Sequence, residues 1–216
     1  SDEFLQGNTT TDFLEKAKPV SYNKAMKFLN DRVNDIHSDK NDELIWILEH
    51  PNLYTAGISA TDNDLLDKNK FPTFKTNRGG KWTFHGKGQK IVYFILDLNK
   101  RGKAIRALVN KIQDIIILSL KEIGIEAHKD KNNIGIWVNT NGEEAKIAAI
   151  GIKVKKWIAY HGFSLNVNVN KKNYKGIIPC GIKNKGIANI SDFKKNIHNE
   201  KLNKILIKNF LDQLQN

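Results

Sequence analysis

The chain has one cysteine, Cys180, set between Pro179 and Gly181 in "KGIIPCGIKNKG". Such flanks favour a sharp loop over a packed strand. A thiol there is either a small buried hydrophobe or a nucleophile. A nucleophile needs help, because a free thiol of pKa about 8.5 is only a few per cent thiolate at neutral pH. Lys146, in "EEAKIAAIGIKV", stands just before a run of small and apolar residues. It is either a strand-edge lysine with its amine in water or an amine drawn out of water, the setting in which lysines serve as bases. The stretch "RGGKWTFHGKGQ", Arg78 to Gln89, holds four glycines, an arginine, a histidine and a threonine in twelve residues. It reads as a plain glycine-rich turn or as a cradle whose N–H groups and Arg78 hold a carboxylate, phosphate or carbonyl oxygen. It has neither the GxxxxGK[ST] spacing of a phosphate loop nor GxGxxG. "HPNLYTAG", His50 to Gly57, closes a strand, and "YHGFSLNV" brings His161 and Gly162. His85 and His161 are either satisfied core residues or catalytic groups, and neither sits in a metal-ligand pattern.

These residues need elements to position them. "SYNKAMKFLNDRVNDI" predicts a helix capped by Ser21, with Tyr22, Ala25, Met26, Leu29, Val33 and Ile36 on one face. A second helix carries Ile105, Leu108, Val109, Ile112, Ile116, Leu120 and Ile123 on its apolar stripe and ends at Gly124. A last helical region is expected to be capped by Ser191, with an inner face from Leu202 onward. "ELIWILEH", "IVYFILDL", "NIGIWVN", "KIAAIGIKV" and "AYHGFSLNVNV" predict strands, and Asn52 to Thr76 reads as loop. Strands and helices do not alternate regularly. The expectation is an α+β domain with a mixed β-sheet core and helices packed on it.

Length and composition fit one domain over residues 9–216, with residues 1–8 as a disordered or vector-derived N-terminus. No apolar run of about 18 residues is present, so no transmembrane helix is expected. One cysteine excludes an internal disulfide and a Cys-rich zinc site, which fits a reducing cytoplasm. The 35 Lys+Arg against 23 Asp+Glu give a net charge of +12. Such a surface attracts polyanions and acidic proteins alike, although abundant Lys, Asn and Ile also fit simple compositional drift.

Together, "LEHPNLYTAG", "RGGKWTFHGKGQ", "NIGIWV", "KIAAIGIKV", "HGFSLNVN" and "IIPCGI" resemble the lipoyl(octanoyl) transferase family, in its order and spacing. The resemblance runs from Leu44 to Ile190, roughly two-thirds of the chain. It implies a biotin/lipoate protein ligase-like fold. It also implies an acyltransferase that moves an octanoyl group from octanoyl-acyl carrier protein to a lysine of lipoyl domains, those of 2-oxoacid dehydrogenases and of the glycine cleavage H protein. The family's cysteine and lysine map onto Cys180, the thioester-forming nucleophile, and Lys146, which tunes it. Its acyl-binding loops map onto Arg78, Gly79, Gly80, Lys81, Trp82, Thr83, Phe84 and His85, onto Ala149, Ile150 and Gly151, and onto Gly162, Phe163 and Ser164. No cofactor is implied: no ATP and no metal. A cytoplasmic monomer is expected, binding neither membrane nor nucleic acid.

Three details follow from that alignment. Lys87 stands where the family usually has proline, which frees φ and adds a cation. Backbone N–H groups of Gly79, Gly80 and Gly151 are candidate oxyanion donors, and His85 a candidate to orient the site or carry a proton. Ile147, Ala148, Ala149 and Ile150 are candidate walls of an acyl tunnel, whose depth would read chain length at about 0.8 kcal/mol per CH2. Two other readings compete. One is an ATP-dependent lipoate or biotin protein ligase on the same fold. The other is a basic nucleic-acid-binding module using Trp82, Phe84 and Trp157 beside lysines.

Overall fold

The computed structural model describes residues 11–16, 18–179 and 185–215. The expected N-terminal segment 1–8 and Cys180 lie outside the described residues.

The chain folds around one mixed sheet. Helix α1 (Tyr22–His37) buries Ala25, Leu29, Val33 and Ile36, whose four-, four- and three-residue steps keep them on one face. Each such side chain contributes about 1.5–3 kcal/mol when fully buried, alanine less. Ser21 is extended and makes no side-chain capping bond; its carbonyl accepts from Ala25 N–H at 3.0 Å. Strands β1 (Thr11–Glu15) and β2 (Glu43–Leu48) pair in parallel. β2 then pairs antiparallel with β6 (Gln89–Asp97), β6 with β9 (Ile158–Asn166), and β9 with β8 (Glu143–Lys155). The first half of β8 takes β7 (Ile136–Thr140) antiparallel and β10 (Gly186–Ile187) parallel. Among the described residues this makes a sheet of seven strands.

One face of the sheet packs on α1 through Leu44, Trp46, Leu48, Ile95 and Ile158. The other face is the main core, covered by α2 (Ile105–Glu122) and α3 (Asn199–Gln215). Gly124, at φ +82°, follows the end of α2 and donates to Lys121 O at 2.9 Å, as its predicted terminating role requires. The fold is therefore α+β, as expected.

Three local expectations are corrected. The stretch from Asn52 to Thr76 is not all loop: β3 (Leu53–Ala56) and β4 (Thr73–Lys75) lie in it. With β5 (Trp82–His85), inside the glycine-rich segment, they form a second sheet in the order β4-β3-β5. These strands have three or four residues each, too short for a periodic signal. Pairing and a local cluster of Tyr54, Trp82, Phe84 and Tyr174 hold them. Ser191 does not cap the last helix, because its N–H is committed to Val167 O at 2.9 Å and the chain there makes one 3-10 turn. α3 starts eight residues later. No helix among the described residues is long and apolar enough to cross a membrane.

Glu43 and Arg101 are buried together at the start of β2. Glu43 also accepts from Arg101 Nη2 at 2.7 Å and from Asp97 N–H at 2.7 Å, so the start of β2, the end of β6 and the following turn meet on one carboxylate. Removing one partner strands a buried charge. Glu43→Ala is expected to cost about 3–5 kcal/mol in denaturant unfolding, and adding Arg101→Leu to recover much of it.

Candidate active site

A cleft opens between β5 and the paired centres of β8 and β9. It encloses about 520 Å3, part of it open to solvent. Its borders are Tyr22 at the start of α1, Arg78, Gly80, Lys81, Thr83 and His85 around β5, Ile91 and Tyr93 of β6, Ala149, Ile150 and Gly151 of β8, and His161, Gly162, Phe163 and Ser164 of β9. Eleven of the residues expected from the sequence are in that set: Arg78, Gly80, Lys81, Thr83, His85, Ala149, Ile150, Gly151, Gly162, Phe163 and Ser164.

The alternation of β5 sorts the rest. Thr83 and His85 border the cleft, while Trp82 and Phe84 point the other way, into the cluster with Tyr54 and Tyr174. Both rings are buried, so neither can stack on a base, and the nucleic-acid reading loses two of its three aromatics. Gly79 donates to Ile152 O at 3.1 Å, which removes its N–H from the candidate oxyanion donors. Ile147 and Ala148 pack into the main core and are not walls of this cleft. Phe163 and Ile150 border it while packing against the same core.

Arg78 acts inside the loop. Its Nη1 donates to Gly79 O at 2.9 Å, and its Nη2 to Thr55 O at 3.0 Å, to Thr55 Oγ1 at 2.6 Å and to Lys81 O at 3.1 Å. One guanidinium thus ties the glycine-rich segment to β3. Gly57 makes the approach possible, since a Cβ there would lie 2.2 Å from Gly80 O. Lys87 is exposed, and its N–H donates to Asn52 Oδ1 at 3.0 Å, a bond that proline could not make.

Three imidazoles converge on the cleft and all are held neutral. Burial brings His50 down to about 4 and His85 and His161 to about 3, with neighbouring His50 and Arg78 adding to the effect on His85. Hydrogen bonds fix their tautomers. His50 Nδ1 donates to Val20 O at 2.6 Å, so its Nε2 accepts from Tyr93 O–H at 2.8 Å. Gln89 Nε2 donates to Phe84 O and Asn166 Oδ1, both at 3.0 Å, so its Oε1 accepts from His85 Nδ1 at 2.8 Å. The lone pair of His85 is then on Nε2. His161 Nε2 donates to Asn77 Oδ1 at 2.8 Å. His161 itself has φ +69°, a conformation uncommon outside glycine, and breaks the alternation of β9 at the cleft. Tyr22, Tyr93, Ile91 and Asn77 escaped the sequence reading, and His50 and Gln89 lay in segments it singled out without being given a role; Tyr22 and Ile91 look like ordinary core in a periodic helix and strand.

Lys146 does not border the cleft, but it shares its face of the sheet. Across β7, Trp137 pairs with Lys146 and Ile136 with Ala148, leaving Ile147 between them without a partner. This bulge shifts the phase of β8. Ala145 and Ile147 before it, and Ala148, Ile150 and Ile152 after it, all pack on the main core. Lys146, Ala149 and Gly151 are left on the opposite face. Lys146 is 6 % exposed. The segments flanking residues 180–184 are pinned: Ile178 N–H donates to Asp64 O at 2.8 Å, and Gly186 and Ile187 pair with Ala145 and Lys146.

The description "Lipoyl protein ligase A/B catalytic domain" matches residues 21–211. The chain belongs to that family. It is 47 % identical over 192 residues to an octanoyltransferase of Wolbachia sp. subsp. Brugia malayi, covering 88 % of this chain and 93 % of the relative. An octanoyltransferase of Rhodospirillum rubrum is 41 % identical over 193 residues, covering 89 % of each. Among solved structures, the bi-partite lipoate protein ligase of Thermoplasma acidophilum superposes with a TM-score of 0.73 at 15 % identity, covering 96 % of this chain and 84 % of that one. A lipoate-protein ligase A bound with ATP gives 0.70 at 17 %, covering 97 % and 86 %. The lipoate-ligase-like fold expected from the sequence is thus the observed one.

Neutral imidazoles make the cleft acid-sensitive. Their folded-state values lie below the unfolded 6.5, so below pH 6.5 the unfolded chain takes up protons that the folded chain does not. Stability is complete above about pH 6.5 and falls towards pH 3–4, by roughly 2 kcal/mol for each imidazole between pH 7 and 5. Side-chain 15N spectra should show His85 and His161 unchanged from pH 8 to 5; titration of either near 6.5 would contradict this electrostatic picture.

Proposed function

We propose that this protein transfers an octanoyl group from octanoyl-acyl carrier protein to a lysine of lipoyl domains, through a thioester on Cys180. The observation that carries the reading is the bulge at Ile147, which turns Lys146 to the cleft face beside the strand that follows residues 180–184. The octanoyltransferases that it resembles over nine-tenths of its length support the same reaction.

The steps balance without a cofactor. The Cys180 thiolate, supported by Lys146 as its electrostatic partner or its base, attacks the donor carbonyl. A new C–S bond forms, the donor C–S bond breaks, and the carrier thiol leaves with the proton. One thioester replaces another, so the step is close to isoenergetic. The neutral amine of the target lysine then attacks the acyl-enzyme. A C–N bond forms, the bond to Cys180 breaks, and the amine proton is released. Amide formation makes this step downhill, so no ATP is called for and no metal is assigned. One candidate oxyanion donor remains, the N–H of Gly80, since that of Gly151 faces Gly162 in the β8–β9 ladder. A cytoplasmic setting and the basic surface suit brief encounters with acidic partner proteins.

Intact-protein mass spectrometry after mixing with octanoyl-acyl carrier protein tests the reading. Wild type should gain one hydroxylamine-labile octanoyl group, Cys180→Ser none, and Lys146→Met should form it about 10²–10⁴-fold more slowly. Free octanoate plus ATP should give no product. No adduct on wild type with the donor intact, or product from octanoate and ATP, would favour the ATP-dependent ligase instead.

A further inference from the structure

Lys146 and Lys185 meet over one aromatic ring. Lys146 Nζ lies 4.9 Å from the ring centroid of Trp137, and Lys185 Nζ 4.5 Å. The two ammoniums are held differently. Lys185 pairs with Asp130 at 2.9 Å and Glu144 at 2.8 Å. Lys146 has no carboxylate within 4 Å and no hydrogen-bond acceptor on Nζ among the described residues, and the ring face is its cation partner.

The ring is fixed from several sides. Trp137 is buried, its Nε1 donates to Asn133 O at 3.0 Å, and its backbone exchanges two 2.9 Å hydrogen bonds with His128. Gly135, at φ +143°, clears the path of the lysine side chain: a Cβ there would lie 3.0 Å from Lys146 Cε and 2.9 Å from Ala148 O. Ion pairing of Lys185 fastens the residue before β10 to the strand that carries Lys146.

We propose that Trp137 is a positioning residue for the acyl transfer, its ring face holding the Lys146 ammonium in place and the Lys185–Asp130–Glu144 cluster holding β10 beside it. The negative face of an indole attracts a cation most strongly where water is excluded, as at buried Lys146. The inference rests on Lys146 acting on Cys180, as proposed above.

The test compares Trp137→Leu, Trp137→Phe and Lys146→Met in the full chain. Acyl-enzyme formation is read by rapid-quench mass spectrometry, and thiol reactivity by the pH profile of iodoacetamide alkylation at Cys180. Trp137→Leu should slow acylation about 3- to 30-fold with little change in KM for the donor, the span expected of a cation–ring contact. Its alkylation profile should move towards that of Lys146→Met. Trp137→Phe, which keeps a ring face, should recover most of the rate and the wild-type profile. A ring that only fills space would move stability without moving the profile. Should Trp137→Leu fail to fold, fluorotryptophan incorporation weakens the ring face at nearly constant shape. Acylation should then fall as fluorine is added, and Trp137→Phe made in the same medium should not respond. A Trp137→Leu enzyme with wild-type acylation and profile, or a fluorinated enzyme with wild-type acylation, overturns the proposal. If Lys146→Met acylates at the wild-type rate, the role given to Lys146 fails, and with it this inference.

Discussion

One unpaired residue in an edge pairing decides which face of the sheet Lys146 occupies. In a regular strand Lys146 would share its face with Ala148, Ile150 and Ile152 and point into the core under α2 and α3. The bulge at Ile147 removes that conflict. It lets the same strand put a lysine and the small residues Ala149 and Gly151 on the cleft side while still feeding Ala145, Ile147 and Ala148 to the core. The paired arrangements on either side depend on it: β10 aligned with Ala145 and Lys146, Trp137 opposite Lys146, and β9 meeting β8 only beyond the bulge.

The cleft is built to stay low in charge. No carboxylate borders it among the described residues, three imidazoles on or next to it are neutral, Arg78 directs its donors into the loop, and Lys81 is the other cationic side chain on its border. Such a wall suits an acyl chain. The cost of desolvating those groups is offset by a connected network, from His85 through Gln89 to Asn166 and Tyr174, and from His50 to Tyr93.

Much of this was legible in the sequence. α1 and α2 announced themselves because a 3.6-residue period needs only one buried face. β2 and β6 did so as unbroken apolar runs buried on both sides. The small sheet was not legible, because strands of three or four residues carry no period and depend on each other. The start of α3 was missed because Ser191 has the chemistry of a cap but its N–H serves Val167. Within the site, motif order located the loops but not the direction of each side chain. Trp82 and Phe84 sit in the same motif as Thr83 and His85 yet face away, and only pairing with β3 settles that. The bulge had no sequence signal beyond the lysine that it displaces.

The central proposal is that Lys146 acts on Cys180. Treating the native chain with the shortest thiol–amine bifunctional reagent and mapping the cross-linked peptides tests it most directly. The account predicts a cross-link between Cys180 and Lys146 that disappears in Lys146→Met. Cross-links from Cys180 only to other lysines, with Lys146 never joined, would contradict it.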